Sequence, residues 1–430
     1  MDEKNIKEDL IQYVWNSRLL SGKILQTTTG QLLQIIHPGV WNTHQGPDFL
    51  MAKVKIDEVV WVGHIEIHVF SSDWVLHGHK GDERYENVIL HVVYKNDSKQ
   101  NFPADQSYCL ELKEQLSTDL LIQYEALKNT AYKLPCAEWI QKVPEHIKNN
   151  QLDRMLAERW ENRAAKIKSH LGNNYDWEHL LWQYIAHYMV TPANSDAMEM
   201  LFGKLDFSII RRLANREFEM EAILFGTAGF LNGEEGDEYY LKLLNEFKYQ
   251  ERKFGIQKMA VHIWKFLRMR PQHFPTLRLA QLSGMMSHSI PLFDQILQAQ
   301  DTSEVRRFLQ QPVSDFWCDH FHFKDNAHPK KIKHIGKQMQ DLLLINAVCP
   351  VLYYYGQVMN KTELCDKAFR WIQTIPAEQN SILKLYSSES WLAHHAGDSQ
   401  AMLQLNKQYC SLKKCLQCQI GNYVLQYKLQ

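Results

Sequence analysis

Several common features are missing from this sequence, and each absence narrows what the chain can be. No run approaches the roughly 18 continuous apolar residues of a membrane helix, so no span and no membrane partner is expected. The opening MDEKNIKEDLIQ is charged and holds no apolar core, so no secretory leader is expected. The net charge is −1, so no global basic field draws in nucleic acid, and any such site must be a local patch. No Walker loop, GxGxxG fingerprint or GxSxG elbow occurs, which argues against NTPases, dinucleotide enzymes and serine hydrolases; HExxH is absent too. The eight cysteines are mostly scattered. That suits reduced thiols in the cytoplasm better than a disulfide framework. No low-complexity linker divides the chain.

What is present falls into two textures. In the first hundred or so residues, DLIQYVWNSRLL (9–20) puts Leu10, Ile11, Val14, Trp15 and Leu19 at helical spacing. QLLQIIHPG, DFLMAKVKID and VVWVGHIEIHVF follow as three strands rich in β-branched residues. SSDWVLHGHKGDERYENV opens on helix-capping residues and carries a weak helical pattern. VILHVVY (88–94) reads as a further strand, and YCLELK (108–113) as another. Beyond about residue 114 the pattern is helical. LDRMLAERWENRAAKIKSHL aligns Leu152, Leu156, Trp160, Ala164, Ile167 and Leu171, while 176–190 and 341–356 are apolar nearly all round, as buried helices are. The expected class is α+β: an αβββαβ domain over 1–115, then a mostly α-helical region over 116–430 with room for two subdomains.

The strand 60–70 sorts its residues by a period of two. Trp61, Gly63, Ile65, Ile67 and Val69 share a core face, whereas Val62, His64, Glu66, His68 and Phe70 share the other. Two imidazoles therefore flank one carboxylate. A second acid, Asp48, follows Pro47 at the start of the preceding strand, although counting by two places it with Leu50, Ala52, Val54 and Ile56 on an apolar face. A turn at the strand's start would be needed to redirect it.

Pro47-Asp48, a short hairpin and Glu66-Ile67-His68 resemble the PD-(D/E)XK nuclease-like arrangement, with histidine where lysine is usual. The αβββαβ order resembles the common core of that superfamily, over roughly residues 9–95. The whole chain also resembles an uncharacterised family of unknown function with GPDF, IEIH and DWxxHxH segments in this order. The nuclease resemblance implies that Asp48 and Glu66 hold Mg²⁺ or Mn²⁺ through oxygen ligands, with the Ile67 carbonyl as a further ligand. It implies His68 as base or phosphate contact in place of lysine, and Lys80 as a candidate for a migrated lysine.

Other groups stand beside this pair. His77 and His79, with His91 on the next strand, add imidazoles that suit Zn²⁺, Mn²⁺ or Fe. His77 is the candidate to donate to a phosphate or orient water, while His79 and His91 read first as residues satisfying turns and carbonyls. On a helix the two histidines of HGH lie about 200° apart, so both reach one ion only from a loop or strand. Cys410, Cys415 and Cys418 form C-x4-C-x2-C, a spacing that zinc or an iron–sulfur cluster accepts, but no fourth cysteine is local. Cysteines packing a terminal helix are the plainer reading. DFWCDHFHF (315–323) reads as a packed segment. Basic stretches at Arg154–Lys168, 268–278 and 328–337 are solvated faces or phosphate contacts. The sequence thus points to a divergent metal-dependent nuclease acting on nucleic-acid phosphodiesters, with Asp48, Glu66, His68 and His77 at its site. A catalytically inactive nucleic-acid-binding scaffold and a histidine-rich metallohydrolase are the alternatives.

Overall fold

The β-branched runs of the first hundred residues form one sheet in the computed structural model, which describes residues 6–20, 24–79, 82–98, 108–171, 176–233 and 235–427. Its strands are β1 (Leu25–Gln26), β2 (Leu32–His37), β3 (Val40–Trp41), β4 (Phe49–Ile56), β5 (Val59–Phe70), β6 (Val88–Lys95) and β7 (Tyr108–Glu111). The order across the sheet is β1-β2-β4-β5-β6-β7, with β3 beside β4. β2, β4 and β5 run antiparallel, β4 and β5 being joined by the tight Asp57–Glu58 turn, whereas β5, β6 and β7 are parallel. β6 is buried from Val88 to Tyr94, as expected of a parallel strand covered on both faces. Its one imidazole, His91, is therefore enclosed.

Helix α1 (Glu8–Ser17) precedes the sheet and packs against β5. It buries Leu10, Ile11, Tyr13, Val14 and Trp15, and the Trp15 indole donates to the Pro38 carbonyl at 3.0 Å. It ends earlier than its apolar spacing predicts, because Arg18 turns left-handed at φ 53°. The helical segment expected after β5 is also shorter, being α2 (Asp73–Leu76) and then a single turn at Glu83–Tyr85. Even so, α1, β2, β4, β5, α2 and β6 follow the expected order, and the chain is a mixed α+β protein with an N-terminal sheet and a mostly helical remainder.

The chain divides into two units. The first comprises Met1–Leu152, Lys384–Leu392 and Leu403–Gln430; the second comprises Asp153–Leu383 and Ala393–Met402. Within the first, α3 (Thr118–Asn129) is capped by Ser117 and anchored to α1, since Tyr124 and Lys128 reach Asp9 at 2.9 and 2.8 Å. Helix α4 (Glu145–Leu171) buries the predicted row from Leu152 to Leu171. Two basic residues of that helix are tied down inside the second unit. Arg159 donates to Gln400 at 2.6 Å, and Arg163 donates to the Ile345 carbonyl and to Asn346 at 3.0 and 2.6 Å. Their charge is spent on packing and offers little to a phosphate. The 315–323 segment is packed, as its aromatics suggest: Trp317 is fully buried and its indole donates to the buried Glu221.

Candidate metal centre

The count by two along β4 fails at one residue, and that failure builds the site. Phe49 pairs with Ile65, but Ala52 pairs with Gly63, so one extra residue is accommodated between them. Met51, exposed and left-handed at φ 53°, takes up the bulge. A bulge reverses the facing of everything before it. Phe49 consequently joins Ala52, Val54 and Ile56 in the core, and Asp48 turns to the face that carries Glu66. The two acids are locked reciprocally across the strand pair. The Asp48 amide donates to Glu66 Oε2 at 3.1 Å, and the Ile67 amide donates to Asp48 Oδ2 at 2.9 Å. From α1, Gln12 donates to Asp48 Oδ1 at 2.9 Å and to Glu8 Oε1 at 3.2 Å.

The histidines converge for a second local reason. Helix α2 stops at His77, and Gly78 follows with φ 73°, a conformation that glycine adopts without a Cβ penalty. His77 and His79 are therefore not spaced as on a helix, and both rings reach His68. The ligand nitrogens of His68, His77 and His79 all lie within 4.8 Å of one another. His68 Nε2 is 3.1 Å from His77 Nδ1 and 3.6 Å from Glu66 Oε1, and His79 Nε2 is 3.3 Å from Glu66 Oε1. His79 Nε2 is buried and makes no aligned hydrogen bond despite that proximity. Behind the cluster, His68 Nδ1 meets His91 Nε2 at 2.8 Å. With the proton on His68 Nδ1 and donated to His91, the Nε2 lone pair faces Glu66 and His77, the orientation that a second partner commonly imposes on a metal-binding imidazole. Trp74 packs edge-on against His68, His79 and His91, and Tyr85 stacks on His79 at 4.0 Å.

These separations suit a metal ion. Zn–N and Zn–O bonds of about 2.0–2.1 Å set neighbouring tetrahedral ligands about 3.3 Å apart, and the His68–His77, His79–Glu66 and His68–Glu66 separations of 3.1, 3.3 and 3.6 Å lie near that value, with the three imidazole nitrogens together inside 4.8 Å. Three imidazoles and a carboxylate favour a transition ion over Mg²⁺, which prefers all-oxygen ligands. Electrostatics agree with the geometry. Burial, then the charge of Asp48, pushes Glu66 up to about 9; burial, then Glu8, pushes Asp48 up to about 7. Glu8 is itself raised by burial. Burial and the neighbouring imidazoles hold His68 down at about 2, and burial holds His91 at about 3. Carboxyls reluctant to ionise and imidazoles reluctant to protonate are the two halves of a site that a cation completes, because the cation rewards carboxylate charge and requires neutral imidazole.

All four site residues read from the sequence, Asp48, Glu66, His68 and His77, meet here. His79 and His91 join them, one with a ring nitrogen turned to Glu66 and one behind His68. His64 takes no part in the cluster's contacts and instead accepts from the Met51 amide at 3.2 Å, at the bulge. Lys80 lies outside the described residues. Sequence reading missed Glu8 and Gln12. Their i, i+4 spacing on α1 was a signal that they share a face, but nothing in the sequence said which strand that face would meet.

A protein-family profile described as "Protein of unknown function (DUF2851)" matches residues 8–381. No curated protein and no solved structure matches the chain.

Proposed function

We propose, starting from the premise that the chain belongs to the DUF2851 family of proteins of unknown function, that its sheet-bearing unit is a metal-dependent hydrolase of nucleic-acid phosphodiesters. The observation that carries this reading is the convergence of His68, His77 and His79, with Glu66 Oε1 close to His68 and His79 and a second acid, Asp48, bonded beside it. The resemblance of Pro47-Asp48 and Glu66-Ile67-His68 to PD-(D/E)XK nucleases, together with the element order, supports the substrate class.

The residues divide the work. The three imidazoles would hold a transition ion such as Mn²⁺ or Zn²⁺, with Glu66 Oε1, near His68 and His79, as the carboxylate beside it. When bound, the ion supplies Lewis acidity to a phosphoryl oxygen and to water. Neutral His68 suits a ligand better than a base, because it is buried, backed by His91 and held far below neutral pH. Asp48, fixed by Gln12 and the Ile67 amide, stands next to the ligands as the group to orient or deprotonate the attacking water. His77, exposed at the rim, reaches solvent and so can meet the substrate phosphate.

The test is cleavage of single- and double-stranded DNA and RNA by the full chain, with and without Mn²⁺, beside the variants Asp48→Ala and Glu66→Ala. Metal-dependent cleavage that both variants abolish supports the reading. Unchanged cleavage in both, or none by wild-type protein loaded with Mn²⁺ or Zn²⁺, refutes it. The three imidazoles, where the resembled enzymes have a lysine, favour one second reading: a metallohydrolase of small substrates. Turnover of small phosphodiesters or esters without nucleic-acid cleavage, lost in Glu66→Ala, would establish that instead.

A further inference from the structure

Of the three basic stretches in the sequence, the one on α4 loses Arg159 and Arg163 to packing, but the fold brings the other two together. From 252 to 293 the chain has seven lysines and arginines and no acid, although at its average of one acid in about nine residues such a stretch would hold about five. From 326 to 340 it has four lysines and again no acid. Both stretches lie in the second unit.

Contacts join the first stretch to the second and to the turn that leads into it. Thr276 donates to the Phe321 carbonyl at 2.6 Å, Gln281 donates to the Lys333 carbonyl at 3.5 Å, and Phe266 packs edge-on against His322 at 5.3 Å. The buried Arg278 sits at this joint, and its hydrogen bonds go to Gln281 at 2.8 Å and His273 at 3.1 Å, not to an acid. Lys333 donates to the His320 carbonyl at 2.8 Å and lies 3.5 Å over the Phe321 ring. Of the eleven cations, only Lys258 and Lys330 pair with a carboxylate among the described residues, Glu251 at 3.0 Å and Asp315 at 3.2 Å. Lys265, Arg268, Arg270, Lys331 and Lys337 are exposed and have no such partner. The backbone beneath them is pinned: the His273 amide donates to the Arg270 carbonyl at 2.8 Å, and the Lys331 amide donates to the Cys318 carbonyl at 2.9 Å.

We propose that this surface binds the phosphodiester backbone of nucleic acid without regard to base sequence. Clustered like charges repel one another in the folded state, and nothing in these two stretches offsets that repulsion, whereas a polyanion would. A protein partner is commonly met by both signs of charge, while an unbroken positive surface complements a polymer that carries one negative charge per repeat. Arg268 and Arg270 offer planar forks to phosphate oxygens, and Lys331 and Lys337 offer point charges. The choice of nucleic acid among polyanions rests on the reading of the first unit as a nuclease.

Fluorescence anisotropy of a labelled mixed-sequence DNA duplex of about 30 base pairs, with the full chain and chelator, measures binding apart from cleavage. Affinity should fall with salt at a logarithmic slope of about −4, which is at least about a hundredfold between roughly 50 and 200 mM. Arg268→Ala with Arg270→Ala, and Lys331→Ala with Lys337→Ala, should each bind at least about tenfold more weakly at about 100 mM salt and lower the slope by about 2. All four side chains are exposed, and unchanged thermal unfolding of both double variants confirms that the fold is kept. Lys168→Ala with Lys242→Ala, which removes two exposed lysines of the same unit outside both stretches, should bind as wild type does. Absence of binding at about 50 mM salt overturns the proposal. So does a wild-type slope in either of the first two variants, and so does tighter binding to phosphatidylserine vesicles than to the duplex. Binding that those variants weaken, without cleavage by metal-loaded protein, supports this surface and refutes the nuclease reading. Cleavage by a protein whose duplex binding the variants leave unchanged does the reverse.

Discussion

Removing metal should make the first unit lose stability as pH rises above neutrality. The folded Glu66 holds its proton up to about 9, whereas an unfolded glutamate releases it near 4.5. Between those values the folded state binds more protons, so stability falls as pH rises. The buried imidazoles do not blur this window. His68 and His91 are held at about 2 and about 3 against an unfolded value of 6.5, so their contribution is complete by about pH 7.5 and adds only a small opposite slope just above pH 6.5. Above about pH 7.5 the slope belongs chiefly to the carboxyls, and the buried thiols of the same unit, held above their ordinary value of 9 by burial, add to the fall only as pH nears 9. One group contributes about 1.4 kcal/mol per pH unit, so Glu66 alone costs about 3 kcal/mol from pH 6.5 to 9, and Asp48 adds about 0.8 kcal/mol, mostly below pH 7.5. That is a large fraction of the roughly 5–15 kcal/mol that holds a domain together. Urea titrations with chelator at pH 6.5, 7.5, 8.5 and 9, read by hydrogen exchange of β5 and β6 amides, should show the decline. Saturating Mn²⁺ or Zn²⁺ should abolish it, and Glu66→Gln should flatten it without metal. A metal-free curve that is flat or rising, or a Glu66→Gln curve as steep as wild type, would refute the reasoning.

Three other outcomes follow from the same geometry. His91→Ala should weaken metal binding by about 10–100-fold, by freeing the orientation of His68, with little change in which ion is preferred; equilibrium dialysis against Zn²⁺ and Mn²⁺ checks this. Met51→Gly should be neutral or stabilising by up to about 1 kcal/mol, because an exposed residue at φ 53° gains from losing its Cβ, whereas Met51→Val should cost at least that much and reduce metal affinity by disturbing the facing of Asp48; urea midpoints and metal titrations report both. Gly63→Ala should destabilise by about 1–3 kcal/mol, because the added carbon would lie 2.4 Å from Ile89 Cγ2 and 2.8 Å from the Asn87 carbonyl, where β5 meets the start of β6; thermal unfolding measures it.

Much of the sheet was legible because strand periodicity is a local signal. The five long runs became β2, β4, β5, β6 and β7, and Ile65 and Ile67 went to the core as their spacing requires. Glu66 and His68 were legible as neighbours on one face, but their burial was not. It comes from α2, Trp74 and the histidine turn folding over that face, a property of the connection after β5. The facing of Asp48 was misread by periodicity, because one inserted residue reverses everything upstream of it and leaves no distinctive mark in the amino acids. The left-handed residue is a methionine, not a glycine that might have advertised it. The HGH segment carried half of its own answer. Gly78 permits the turn that brings both rings to one point, but only β5 and β6 supply the imidazoles they meet there.

By itself, the sequence determined which segments are strands and helices, which faces are apolar, and that acids and imidazoles concentrate between Asp48 and His91. These follow from periods of two and 3.6 and from residue chemistry, which act over a few residues. Only the tertiary structure decided that Asp48 turns toward Glu66, that Glu8 and Gln12 reach the pair from α1, that Arg159 and Arg163 are spent in packing, and that Cys136 stands beside three cysteines near the other end of the chain. Each depends on a register shift or on contacts between distant segments, and those are fixed by how whole elements pack rather than by any local pattern.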